Sequence, residues 1–184
     1  FHAIMKKLES EQDYYNIDLD TTDYYLLEKR KRLGMAVFKR DWEKALKLVE
    51  ELKSSLEMDK RLNRDTIKME EDCILFHMQR ISAEEYKKSC ELLLNCTNEE
   101  WKETKFWKQF LSNKTILLLI RIAVACRRMG NKEDAVFILE NVLKQLRSSK
   151  VMMEDRIRSV MVVLGNLSTY YGECGNYENC VNIC

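Results

Sequence analysis

The chain has 184 residues, 46% of them hydrophobic and 33% charged, which excludes a disordered polymer and suits one substantial domain or a short repeat array. A net charge of +1 excludes broad electrostatic attraction to nucleic acid or an anionic membrane. With no proline and only five glycines, an almost wholly helical chain with short connections is expected, since both residues mark breaks and turns.

Helical periodicity predicts elements near 1–10, 22–39, 41–58, 60–80, 82–96, 99–110, 112–129, 131–148, 152–174 and 176–184, with 11–21 as an irregular linker. The basic run Lys29-Arg30-Lys31-Arg32 is a solvated helix face or, in the sharper reading, a DNA contact. Asp41 can cap the helix behind it, whose apolar face is Trp42, Ala45, Leu46, Val49, Leu52 and Leu56. His77, between Phe76 and Met78, reads as a packed or edge histidine. Ser82-Ala83-Glu84-Glu85 is a capping box, and Thr97-Asn98-Glu99-Glu100 is a second. The helix expected behind that second box carries Trp101, Phe106, Trp107 and Phe110. These aromatics either anchor a partner subunit or fill a gap between neighbouring hairpins.

The longest apolar run, Ile116 to Cys126, spans eleven residues and contains Arg121, so a buried helix is expected rather than a membrane span. Seven cysteines, an odd number without any Cys-x-x-Cys pair, read as free thiols: Cys73, Cys90, Cys96, Cys126, Cys174, Cys180 and Cys184. Cys180 and Cys184 share a helix face, but no His or acidic partner stands at ligand spacing, so no metal is expected. Neither a phosphate-binding glycine loop nor a nucleophile or metalloprotease motif occurs, and no catalytic set or cofactor is expected. The chain opens on Phe1 and stops at Cys184 within a helical pattern, and is read as a piece of a longer cytoplasmic protein.

Helices restart at Asp41-Trp42-Glu43-Lys44-Ala45, Ser82-Ala83-Glu84-Glu85-Tyr86, Asn131-Lys132-Glu133-Asp134-Ala135 and Asn176-Tyr177-Glu178-Asn179-Cys180. A cap residue comes first, glutamate follows two later, and three of the four place a small side chain two beyond that. The restarts are 41, 49 and 45 residues apart. The cap begins the second helix of a hairpin, and the small residue lets it approach the first closely. One hairpin cannot bury its own apolar faces, so stacked neighbours are expected, with an irregular helical bundle as the alternative.

The stretches "AVFKRDWEKALKLVEEL", "ACRRMGNKEDAVFILENVL" and "YYGECGNYENC" resemble the tetratricopeptide repeat, although the period exceeds that of the family and its closing proline is missing. The order "LLEKRKRLGMAVFKRDWEKALKLVEELK" and later "VVLGNLSTYYGECGNYENCVNIC" is similar to the repeat region of bacterial transcriptional regulators with a Cro/repressor-type helix-turn-helix. This resemblance implies an all-α, right-handed superhelical array of three to four hairpins over 22–184, truncated in its last hairpin, after an N-terminal helix and linker over 1–21. It implies a ligand-sensing, dimerising domain that holds a short peptide or protein segment on its concave face. DNA would be bound only through a helix-turn-helix domain outside this chain, and no membrane would be involved. A constitutive interaction scaffold is the alternative, and an enzyme built on similar repeats a third.

In peptide-clamping repeats resembling these, polar residues ten positions before the cap hold a backbone amide or a carboxylate. Counting back gives Lys31, Asp72, Arg121 and Asn166, with Tyr170 one turn beyond Asn166. Arg121 would fork a carboxylate, Asn166 would bond a peptide backbone, and Tyr170 would stack on the ligand unless it is a core aromatic. Lys68 and Lys114 are weaker candidates. The alternative for Arg121 is an internal partner such as Asp72 or Glu140, because a buried, unpaired guanidinium is costly. If the groups serve a ligand, Arg121→Ala and Asn166→Ala weaken binding and leave thermal stability nearly intact.

Overall fold

Asp23, Asp41, Ser82 and Ser112 each hold a side-chain oxygen to an orphan backbone N–H of the first helical turn, and the helices begin behind them. The computed structural model describes residues 19–95, 99–108, 111–148 and 153–183, with only the backbone of 153–156 and 158. In chain order the helices are α1 (Tyr24–Phe38), α2 (Trp42–Ser55), α3 (Arg61–His77), α4 (Ala83–Leu93), α5 (Asn113–Arg128), α6 (Lys132–Ser148), α7 (Met153–Glu173) and α8 (Tyr177–Ile183). Among the described residues there is no strand, and no helix is long and apolar enough to cross a membrane. The protein is all-α. The helix expected over 1–10, His2, Cys96, Thr97, Asn98, Phe110 and Cys184 lie outside the described residues.

One turn recurs. After α1, the Arg40 N–H donates to Val37 O at 3.0 Å and the Asp41 N–H to Ala36 O at 2.9 Å. After α5, Gly130 and Asn131 repeat this to Arg127 O and Cys126 O; after α7, Gly175 and Asn176 repeat it to Gly172 O and Tyr171 O. This closing pair of bonds needs a left-handed residue, and φ is +58° at Arg40, +85° at Gly130 and +71° at Gly175. The next residue starts the second helix, so chain reversal takes two residues. After α3 the left-handed residue is Gln79 (φ +59°), but the cap Ser82 comes three residues later, so that restart has different geometry. Ser82 and Glu85 form the expected capping box.

By packing, the chain divides into two compact units, Phe1–Arg80 and Ile81–Cys184. In the first, α1 packs on α2 and α2 on α3. Ala45, Leu48, Val49 and Leu52 of α2 are buried against Leu26, Leu33 and Ala36 of α1 and against Ile67 and Ile74 of α3. Residues 19–23 are irregular, and Asn63, fully buried, holds them: its Oδ1 accepts from the Asp20 N–H at 2.7 Å. The basic run is not a uniformly solvated face. Lys29 pairs with Glu51 of α2 at 3.0 Å and Arg30 with buried Glu70 of α3 at 3.1 Å. His77 lies exposed at an edge, stacked on Trp42 with ring centroids 4.5 Å apart.

In the second unit α5 is central. It packs on α4 and α6, α6 packs on α7, α7 on α8, and α5 also reaches α7. Leu118 through Ala123 are all buried, as expected for the apolar run. Ala135, the small residue of the third restart, is fully buried and lets α6 close on α5. Instead of the helix expected over 99–110, two 3-10 turns occur, Glu100–Lys102 and Phe106–Lys108. Residues six apart lie about 120° apart on an α-helix, so one straight helix could not bury Trp101 and Trp107 in the same wedge. The turns bury both, and Phe106 with them. Trp101 Nε1 donates to Glu91 of α4 at 3.0 Å, Trp107 Nε1 donates to Trp101 O at 2.6 Å, and Gln145 of α6 bonds Trp107 O. These aromatics fill the gap between α4 and α6 rather than project as an anchor.

Candidate functional site

The sequence-picked polar positions fall two in each unit. In the first, Lys31 is exposed and pairs with Glu28 at 3.9 Å, while Asp72 is buried and accepts from Lys68 at 2.7 Å. In the second, Arg121 lies midway along α5, only 8% exposed, and is already engaged inside the chain. Asn166 is half-buried on α7. Its Nδ2 donates to Val162 O at 2.9 Å, and its Oδ1 accepts from the Tyr170 hydroxyl at 3.4 Å. Tyr170 is 1% exposed, and the Arg127 guanidinium covers its ring at 4.8 Å from the centroid. Its ring is therefore packed, as a core aromatic would be.

Arg127 and Glu173 escaped the sequence reading. The Arg127 guanidinium forks the Glu173 carboxylate, with Nε at 2.9 Å and the second nitrogen on the other oxygen. Arg127 stands three residues before Gly130 and Glu173 two before Gly175, so matched heights before two equivalent turns place them face to face. That periodicity was the available signal. The pairing holds the Glu173 carboxyl below the ordinary carboxylate range. Burial raises the Tyr170 phenol despite the cation beside it. Arg127, Tyr170, Asn166 and Glu173 thus form one polar seam between α5 and α7.

A second feature of the same unit is a groove of about 510 Å³ between α6, α7 and α8. Its floor is Leu143, Leu167 and Tyr171, with Ile183 on the α8 side. The Tyr171 hydroxyl donates to Glu140. Burial, then that carboxylate, pushes the Tyr171 phenol far above its usual value, so it remains a donor at every ordinary pH. Lys144 and Arg147 stand on α6 along the groove, exposed, and neither forms an ion pair or hydrogen bond with a described residue.

No protein-family model and no curated protein matches this chain. Chemistry at its surfaces is therefore read from side chains alone. Among the described residues no three His, Cys, Asp or Glu side chains gather as a metal cluster. Of the described cysteines, Cys73, Cys90 and Cys126 are buried free thiols, Cys180 is partly buried and Cys174 exposed. Burial pushes the Cys126 thiol up to about 11, so it is not a thiolate at neutral pH. The second unit presents a hydrogen-bonding seam and an apolar-floored groove flanked by two cations.

Proposed function

We propose that this chain is a helical-hairpin recognition domain that binds a short peptide or protein segment. In the wider reading, resting on the repeat resemblance, it is the sensing and dimerising part of a bacterial transcriptional regulator whose DNA contacts lie outside it. The observation that carries the recognition reading is the turn shared by Arg40, Gly130 and Gly175. It pairs α1 with α2, α5 with α6 and α7 with α8 by one rule, and α5 also reaches α7, which carries the Asn166 amide on a partly open face. A ligand bonded by Asn166 would compete with the Val162 and Tyr170 bonds and bias the α5–α7 spacing, a shift between pre-existing populations.

Panning a random peptide library on the whole chain, followed by titration of the selected peptides, tests this. Asn166→Ala should weaken the selected peptide about fivefold, the worth of one hydrogen bond of ~1 kcal/mol, with little change in Tm. Equal loss of affinity and of Tm would make Asn166 structural, and a library yielding no saturable binder would end the recognition reading.

A constitutive scaffold is the second reading, favoured by the internal partners already held by Lys31, Asp72 and Asn166. Sedimentation decides between the two. A regulator changes its dimer fraction when peptide is added; a scaffold does not.

A further inference from the structure

The groove between α6, α7 and α8 is chemically one-sided. Its floor is apolar, and its free charges are two cations one helical turn apart on α6, Lys144 and Arg147. The one lining carboxylate, Glu140, accepts the Tyr171 hydroxyl bond. We propose that this groove docks an acidic amphipathic segment of a partner protein, apolar side chains down and carboxylates against Lys144 and Arg147. This deepens the recognition reading by naming a surface and a ligand class, and it rests on that reading.

Charge complementarity chooses the occupant. Among the described residues, cations such as Lys29, Arg30, Lys53, Lys88 and Arg127 have their carboxylate within the same unit. Lys144 and Arg147 have none among the described residues, although they flank the apolar recess of the α6–α7–α8 corner. A cation beside exposed apolar surface is best answered by a segment bringing both chemistries together. The spacing of three residues on α6 sets two cations about 5–6 Å apart at their Cβ atoms, which suits carboxylates three or four apart on a docked helix. Arg147 can take a carboxylate through two parallel bonds, and Lys144 supplies a point charge. The docking is an apolar contact with charge steering, so it weakens with salt.

The test uses the whole chain and a fluorescein-labelled synthetic helix of alternating Glu and Leu faces, with a Lys-for-Glu copy as control, read by anisotropy. Saturable binding of the Glu probe, failure of the Lys probe and weakening with added salt are expected. The double variant Lys144→Glu/Arg147→Glu should weaken the Glu probe about tenfold, the scale of two exposed ion pairs lost and then opposed. Both residues are exposed, so helical circular dichroism and Tm should hold, and these serve as the folding check. Equal binding of the two probes, no binding of the Glu probe, or indifference to the double variant overturns the groove. Library peptides that bind the double variant normally but are weakened by Asn166→Ala would leave the recognition reading standing while the groove falls.

Discussion

Arg40 carries a full side chain at φ +58°, where glycine stands in the two equivalent turns at 130 and 175. A Cβ in that region crowds the backbone at a cost of about 1 kcal/mol or more, and Arg40 is exposed with no packing to offset it. Arg40→Gly should therefore stabilise the protein by roughly 0.5–1 kcal/mol, read as a raised urea midpoint. Gly130→Ala should cost about 1 kcal/mol. Nothing lies within 4 Å of the added methyl, so that cost is purely conformational. A Gly130→Ala variant as stable as the parent would refute the shared-turn account. Arg121 shows the same dependence on context. It is polar and correctly spaced, but 8% exposed and engaged, so replacing it removes a buried charge from its setting. The sequence expectation that Arg121→Ala leaves stability intact therefore no longer follows, whereas for half-buried Asn166 it does.

At the scale of elements, the 3-10 insert carries the clearest electrostatics. Glu99 is held by Lys102 at 2.8 Å and by Lys87, and Lys102 continues to Asp134 of α6 at 3.0 Å. Both ammonium groups also lie over Trp101, at 5.1 and 5.6 Å from its ring centroid. The hydrogen bond from Lys102, then that from Lys87, depresses the Glu99 carboxyl below its ordinary value of 4.5. A carboxyl whose folded pKa is lowered contributes stability above its unfolded pKa and loses it as pH falls through the folded one. Tm should therefore drop on acidification below about pH 4.5. Glu99→Gln should start from a lower Tm at pH 7 and fall less steeply; parallel curves would show that the network does not couple to folding. The helices themselves need no such device, because caps and spaced apolar residues start and hold them.

Over the molecule, α5 is the element on which the second unit is assembled, with α4, α6 and α7 all against it. Ile122 is fully buried there, and Leu117, five residues earlier, is 36% exposed. Ile122→Ala should cost about 2–5 kcal/mol through lost burial and an unfilled cavity, and Leu117→Ala under ~1 kcal/mol. Similar losses in urea unfolding would mean that α5 is not the centre of that core. The outer corner of the unit is different. α8 has no buried residue, and its Tyr177 and Val181 are 70% and 75% exposed, so this corner of the unit presents apolar surface.

Local rules by themselves determined the helices, because caps, left-handed turns and apolar periodicity act within a few residues. Asp41, the Ser82–Glu85 box and the glycine before Asn131 were each legible for that reason. The small residues at 45 and 135 announced close hairpin packing for the same cause. The 99–110 segment was misread because Trp101 and Trp107 needed burial against two different helices, and that demand is tertiary. So is the inward turn of Lys29 and Arg30. Polarity at a fixed distance from each cap located Arg121 and Asn166 but not their state, since exposure depends on which helices close over a position. The Arg127–Glu173 fork and the groove that Leu143 shares with Leu167, Tyr171 and Ile183 arise only when residues distant in sequence are brought side by side. Packing alone decided them, because charge pairing and burial depend on distance in space.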